Sequence, residues 1–425
     1  MSTTLAGALE PARVGVEQMR RDHPEKLELA EVMLGVVPSS FGYLAISPAG
    51  LDTYALIVPN FANMPFTLWG FGGVPKELFS LVMYASSRAA GCMYCSAHSC
   101  TFALRRGATP AQLVRATAED GPANARERAA FAMAEGLGSV PATIDAGTRE
   151  AMYAAFTAAE VEWLVLAAAM MGFLNKFMDA TGTPLEQAVV DDVEALIAPQ
   201  GWAPGRHALE GEGAAGPVPV DGLGTKLSIV PVVPRALRGD KRLTAGVPGT
   251  WPAIGEFNEA LTGWDVPMLR HLKHARAVKA VGAALRRNLA ADMSGVEPLT
   301  KAFASLVFAT VLESDSLREG SRQMAIANGG RIDDLDSIEA FARHDTDFES
   351  SDSIDAACSE LGDDLRMTLA PTLVVAKAAS PSPVRITATV VREHVQVMSP
   401  RQSVELLMWL GLFQMLHRLE RFYAA

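Results

Sequence analysis

The stretch ELFSLVMYASSRAAGCMYCSAHSCTFALRRG (Glu77–Gly107) reads as two helices meeting at Gly91. Before that glycine, apolar residues recur at three- and four-residue spacing among Ala, Leu, Met and Arg, which favours helix. The same texture resumes at Cys95 and closes on Arg105, Arg106 and Gly107, a basic last turn followed by a glycine stop. Thr109-Pro110 then reads as a cap with proline at the first helical position, and Ser399-Pro400 repeats the signal near the C-terminus. Helical texture also fills Arg126–Gly136 and Ala159–Asp179. Period-two alternation is scarce, and ITATVV (Ile386–Val391) is the best strand candidate. The expected fold class is all-α.

Composition narrows the function classes. The 425 residues are 49% hydrophobic and 20% charged, a length that suits two or three globular units. Lys and Arg number 37 against 48 Asp and Glu, a net charge of −11 without a basic block, so neither nucleic acid nor an anionic membrane is an expected partner. The N-terminal residues do not pair a basic segment with an apolar one. The longest apolar runs, Trp163–Leu174 and Leu406–Phe413, fall short of the ~20 residues that span a bilayer. A cytoplasmic location with reduced thiols is the expectation. Four cysteines are too few for a disulfide framework, yet three of them are bunched as Cys92, Cys95 and Cys100.

Between about Gly201 and Trp251 the chain turns rich in Gly, Pro and Val and loses helical period, as a linker does. The segments on either side resemble each other. LVMYASSRAAGCMYCSAHSCTFALRRGATPAQL (Leu81–Leu113) and LVFATVLESDSLREGSRQMAIANGGRIDDL (Leu306–Leu335) share a helix, a small-polar break, a second helix and a glycine stop. Each is followed by a late apolar helix with a polar-basic pair, Asn175-Lys176 and His417-Arg418. The expected organisation is a first domain over 1–200, a linker over 201–250 and a second copy over 251–425.

The cysteine cluster carries the chemistry. If Gly91 ends one helix, Cys92 and Cys95 fall in the first turn of the next, where free N–H groups favour a thiolate and should lower the thiol pKa. Three-residue spacing brings the two thiols within disulfide reach, and His98 lies one turn on, as a base or proton shuttle. A nucleophile, a resolving thiol and a base suit thiol–disulfide or peroxide chemistry better than inert core cysteines. A zinc set of Cys92, Cys95, His98 and Cys100 would be fanned around a helix axis, so neither metal nor cofactor is expected. Cys100 and Cys358 read as core residues.

The run SSRAAGCMYCSAHSCTFALRRG (Ser86–Gly107) resembles the signature of the carboxymuconolactone decarboxylase / alkylhydroperoxidase D-like superfamily. Leu34–Leu51, Glu127–Leu137 and Phe173–Glu186 resemble flanking segments of its peroxidase-related branch. The resemblance implies two tandem alkylhydroperoxidase D-like helical domains, and self-association into a homo-oligomer. It assigns Cys95 as the thiol that attacks peroxide, Cys92 as the one that resolves the sulfenic acid, and His98 as the proton relay. The substrate it implies is a small hydroperoxide, and the partner that resets the disulfide is an external dithiol. The resemblance also implies a relay glutamate where this chain has Ser80; Glu77, nearly one turn upstream, is the candidate substitute. The second copy has neither the thiols nor the histidine around Glu313–Arg322, and reads as a degenerate half that takes the place of a partner subunit. The alternatives are a cofactor-free decarboxylase, which would not need the thiols, and a non-catalytic helical binding or assembly protein.

Overall fold

The break at Gly91 is the hinge of a helical hairpin. In the computed structural model, which describes residues 3–69, 73–118, 121, 124–213 and 218–423, helix Lys76–Ala89 ends at a turn where Gly91 takes φ +66°, and helix Met93–Arg105 runs back from it. Gly107 stops the second helix with φ +95°. Thr109 then caps Pro110–Arg115 in a reciprocal pair with Gln112, satisfying two otherwise orphaned N–H groups.

The fold is all-α. Among the described residues the sole sheet is a parallel pair of two-residue strands, Leu185–Glu186 beside Leu209–Glu210. ITATVV is not a strand. Thr387 accepts from the Val390 N–H and caps helix Ala388–Val397, so the cap outweighs the β-branched composition. The 201–250 segment also differs from a structureless linker, since it holds helices Leu223–Ile229 and Val233–Leu243. Both pack against helix Pro24–Leu34.

Helix lengths recur along the chain. Lys76–Ala89 and Pro298–Val311 each have 14 residues, Met93–Arg105 and Asp315–Ala327 each have 13. Ala146–Ala155 and Ala388–Val397 each have 10, and Ala158–Thr181 and Pro400–Tyr423 each have 24. These matched lengths favour one unit written twice. The helix starts set its register: Ser314 holds the N-cap position that Cys92 holds, without its side-chain hydrogen bond, while Leu81-Val82 and Leu306-Val307 sit at different turns of theirs.

The two 24-residue helices are the spine, packed on each other along their length. Ala158–Thr181 is apolar and long enough to cross a membrane, but 94% of its most apolar window is buried inside the protein, as in a core helix. Glycines let the pair approach. A Cβ on Gly411 would lie 3.0 Å from the Phe173 carbonyl oxygen, and one on Gly172 would lie 2.9 Å from Arg418 Cδ. Gly411→Val should therefore overpack the crossing and cost about 1–3 kcal/mol. Urea unfolding reads this directly, and an unchanged midpoint would show slack between the helices.

Candidate active site

Cys92 is the N-cap of helix Met93–Arg105, and its Sγ accepts from the Cys95 N–H at 3.4 Å. Its own N–H donates to the Ser87 carbonyl at 3.2 Å, so the cap is tied to the preceding helix. Both thiols are buried, free and in hydrogen-bond contact with one another. The expected lowering of the thiol pKa does not hold for Cys95. Burial pushes this thiol well above its ordinary value; the hydrogen bond and charge of Cys92 add to that, then Asp179, while Arg418 opposes them. The nearest first-turn N–H, that of Cys95 itself, is used by the Cys92 sulfur rather than its own. Cys100 and Cys358 are also buried, with thiols raised to about 12 and about 11, chiefly by burial.

His98 projects from the next turn, and its Nε2 lies 2.7 Å from Glu186 Oε2. Glu186, and not Glu77, is the carboxylate on the histidine. Glu77 sits in the first turn of Lys76–Ala89, where its Oε1 comes 3.5 Å from the position of a Cβ on Gly107. The hairpin explains this: the start of one helix lies beside the end of the other, and the thiols are at the opposite end. Ser80 donates to the Lys76 carbonyl at 2.7 Å and is buried in its own helix.

Three contacts fix Glu186. It receives the Ser39 N–H and the Tyr94 hydroxyl, the latter at 3.2 Å, besides His98. The strand pairing sets Glu186 beside Glu210, which Arg13 holds by two hydrogen bonds of 2.8 and 2.7 Å. The Tyr94 ring lies against the imidazole, centroids 4.4 Å apart. Burial raises the Glu186 pKa, but the charge and hydrogen bond of His98 and the Ser39 N–H outweigh it and bring it to about 2. Sequence reading missed Glu186 although it ends the quoted stretch Phe173–Glu186; only its contacts distinguish it from a loop acid.

Cys95, His98, Tyr94 and Ser99 open onto a cavity of about 170 Å³. Its walls are apolar and rich in methionine: Met33, Met64, Met83, Met170, Met171 and Met178 all face it. Helix Val233–Leu243, from the expected linker, supplies Val233, Ala236, Leu237 and Leu243 to the wall. Glu25, Lys26, Asp240, Arg242 and Arg276 also border it. Lys26 pairs with Asp52 at 2.6 Å, and Arg276 Nε donates to Asn60 at 3.0 Å. Cys92 does not line the cavity and lies behind Cys95.

The site is thus a buried cysteine pair in an all-helical fold, with a histidine–carboxylate couple on one wall of an apolar cavity. Residues 60–136, which include the thiol hairpin, match the model of the Carboxymuconolactone decarboxylase family. No curated protein matches. Two solved structures of the debrominase Bmp8 are similar. A cysteine-to-alanine variant in complex with 2,3,4-tribromopyrrole is 22% identical, covers 44% of this chain and 95% of that one, and has a TM-score of 0.36. The apo form is 23% identical, covers 42% and 92%, and has a TM-score of 0.35.

The depressed Glu186 pKa makes a stability prediction. Its folded value lies below the unfolded one, so its contribution is complete above about pH 4.5 and is lost as pH falls through about 2. A drop from 4.5 to about 2 is worth on the order of 3 kcal/mol at neutral pH. Glu186→Gln should remove that pH dependence, seen as a flatter stability profile between these limits in urea unfolding. A profile that overlays the wild type would show that Glu186 is not held as an ion.

Proposed function

We propose that the protein reduces organic hydroperoxides with the Cys92–Cys95 pair. The observation that carries this reading is the order of groups at the cavity: Cys95 and His98 face it, and Cys92 touches Cys95 from behind. A neutral Cys95 thiol needs a base to become nucleophilic, and the His98–Glu186 couple beside it is the candidate. The thiolate attacks one peroxide oxygen, the O–O bond breaks, and the alkoxide leaves as an alcohol on taking the proton from His98. Cys95 is then a sulfenic acid. Cys92 attacks its sulfur, the S–S bond forms and water leaves. Two electrons from an external dithiol reopen the disulfide by exchange.

The apolar, methionine-lined walls favour a peroxide with a hydrocarbon body over hydrogen peroxide, since burying apolar surface drives binding. The C-terminal half, in this reading, takes the place of a neighbouring subunit, and the unit as a whole works as a homo-oligomer in a reducing, cytoplasmic setting.

Cys95→Ser and Cys92→Ser should each abolish turnover of an alkyl hydroperoxide with a dithiol donor. Mass spectrometry of the oxidised wild type should show a Cys92–Cys95 disulfide. Turnover at the wild-type rate in either variant overturns the dithiol mechanism. Lactone decarboxylation that survives thiol alkylation would instead favour the decarboxylase reading, and no faster peroxide reaction than a free thiol would favour a binding protein.

A further inference from the structure

The last helix reaches from the C-terminal half into the wall behind the thiols. Arg418 of Pro400–Tyr423 has no exposed surface. One terminal nitrogen donates to Ser86 Oγ at 2.7 Å and to the Ala168 carbonyl at 2.6 Å. Its Nε and other terminal nitrogen are buried without a partner, and among the described residues no carboxylate forms an ion pair with it. Ser86 lies in the turn that carries the Ser87 carbonyl, the acceptor of the Cys92 N–H. Gly172 leaves the room for this side chain, since any Cβ there would meet Arg418 Cδ at 2.9 Å.

A buried guanidinium without an anion is expensive. Burial accordingly lowers the Arg418 pKa to about 9, and the acidic groups that pull it back up are Cys95 and Cys92. We propose that Arg418 is a positioning residue whose guanidinium serves as counter-ion to the thiolate formed in the Cys92–Cys95 pair, so that the C-terminal half completes the site of the N-terminal one. This rests on the reading of the pair as reactive. Other charges and titratable groups face the pair as well. Asp179 acts on Cys95 and Cys92 acts on Lys176 and Arg206. Tyr54 and Tyr94 also feel Cys95, and His98 is on the cavity side. His417 beside Arg418 is held neutral by burial, its pKa lowered to about 3.

The test is alkylation of Cys95 by iodoacetamide across pH, followed by peptide mass spectrometry, in the full-length wild type and in Arg418→Met and Arg418→Lys. Removing the charge should move the reactivity midpoint upward by about one pH unit, which below the midpoint is about a tenfold slower alkylation. Arg418→Lys, which keeps the charge, should restore most of the rate. Should Arg418→Met fail to fold, Arg418→Gln is read in the same way. A neutral variant that folds and keeps the wild-type pH profile overturns the proposal, as does Arg418→Lys behaving like the neutral variants. Because no peroxide is used, an Arg418-dependent profile in a protein without peroxide turnover would sustain this inference while overturning the peroxidase reading.

Discussion

The crossing of the two 24-residue helices, with a buried cation passed each way, is the constraint on which the rest of the structure depends. Lys176 leaves Ala158–Thr181 and donates to the carbonyls of Ala379, Ser380 and Pro381 at 2.7, 2.8 and 2.7 Å. Arg418 leaves Pro400–Tyr423 and donates to Ser86 and Ala168. The exchange is matched in place. Ser86 and Phe308 sit at the same position of 14-residue helices, and Lys176 Nζ lies 5.5 Å from the Phe308 ring. Each cation is desolvated by the partner half: burial brings the Lys176 pKa to about 7 and the Arg418 pKa to about 9. Charges so placed are tolerable only while both halves stay docked, so neither half is independent of the other.

Burial also decides the state of the Cys95 thiol. At an exposed helix N-terminus the backbone N–H groups would win and favour a thiolate. Here Cys95 is 3% exposed and its neighbour is a second thiol, so the cost of charging it exceeds what the terminus returns. In the proposed reaction, a Cys95 thiol kept neutral by burial depends on its base. That dependence gives the His98–Glu186 contact its weight, and gives the tie from Glu186 through the strand pair to Glu210 and Arg13 a reason to exist.

What was legible in the sequence was local. Gly91, Gly107 and the Thr109-Pro110 cap are signals of the backbone within a few residues, and each helix boundary they mark is where they put it. Cys92, Cys95 and His98 were legible because one helix presents all three. Glu186 was not, because it meets His98 across 88 positions through a strand pair too short to show a period. Glu77 looked close only along the chain. The helix Val233–Leu243 begins at Val233-Pro234 inside a Pro- and Val-rich run, and its composition hid a segment that walls the cavity.

The turn before helix Asp315–Ala327 offers a comparison with the thiol site. Ser314 stands where Cys92 does, and Glu313 takes φ +53° in the turn that Gly91 forms at +66°. Three and six residues past Ser314, as Cys95 and His98 lie past Cys92, come Leu317 and Gly320. A Cβ on Gly320 would fall 2.3 Å from the Trp264 indole, which therefore occupies the space that a side chain at the histidine position would need. Trp264 is 4% exposed, and its ring lies 6.1 Å from that of Phe413 on the spine. At this position a larger side chain and the indole exclude each other. Around Trp264 the C-terminal half is a filled core packed on the spine helix that carries Arg418.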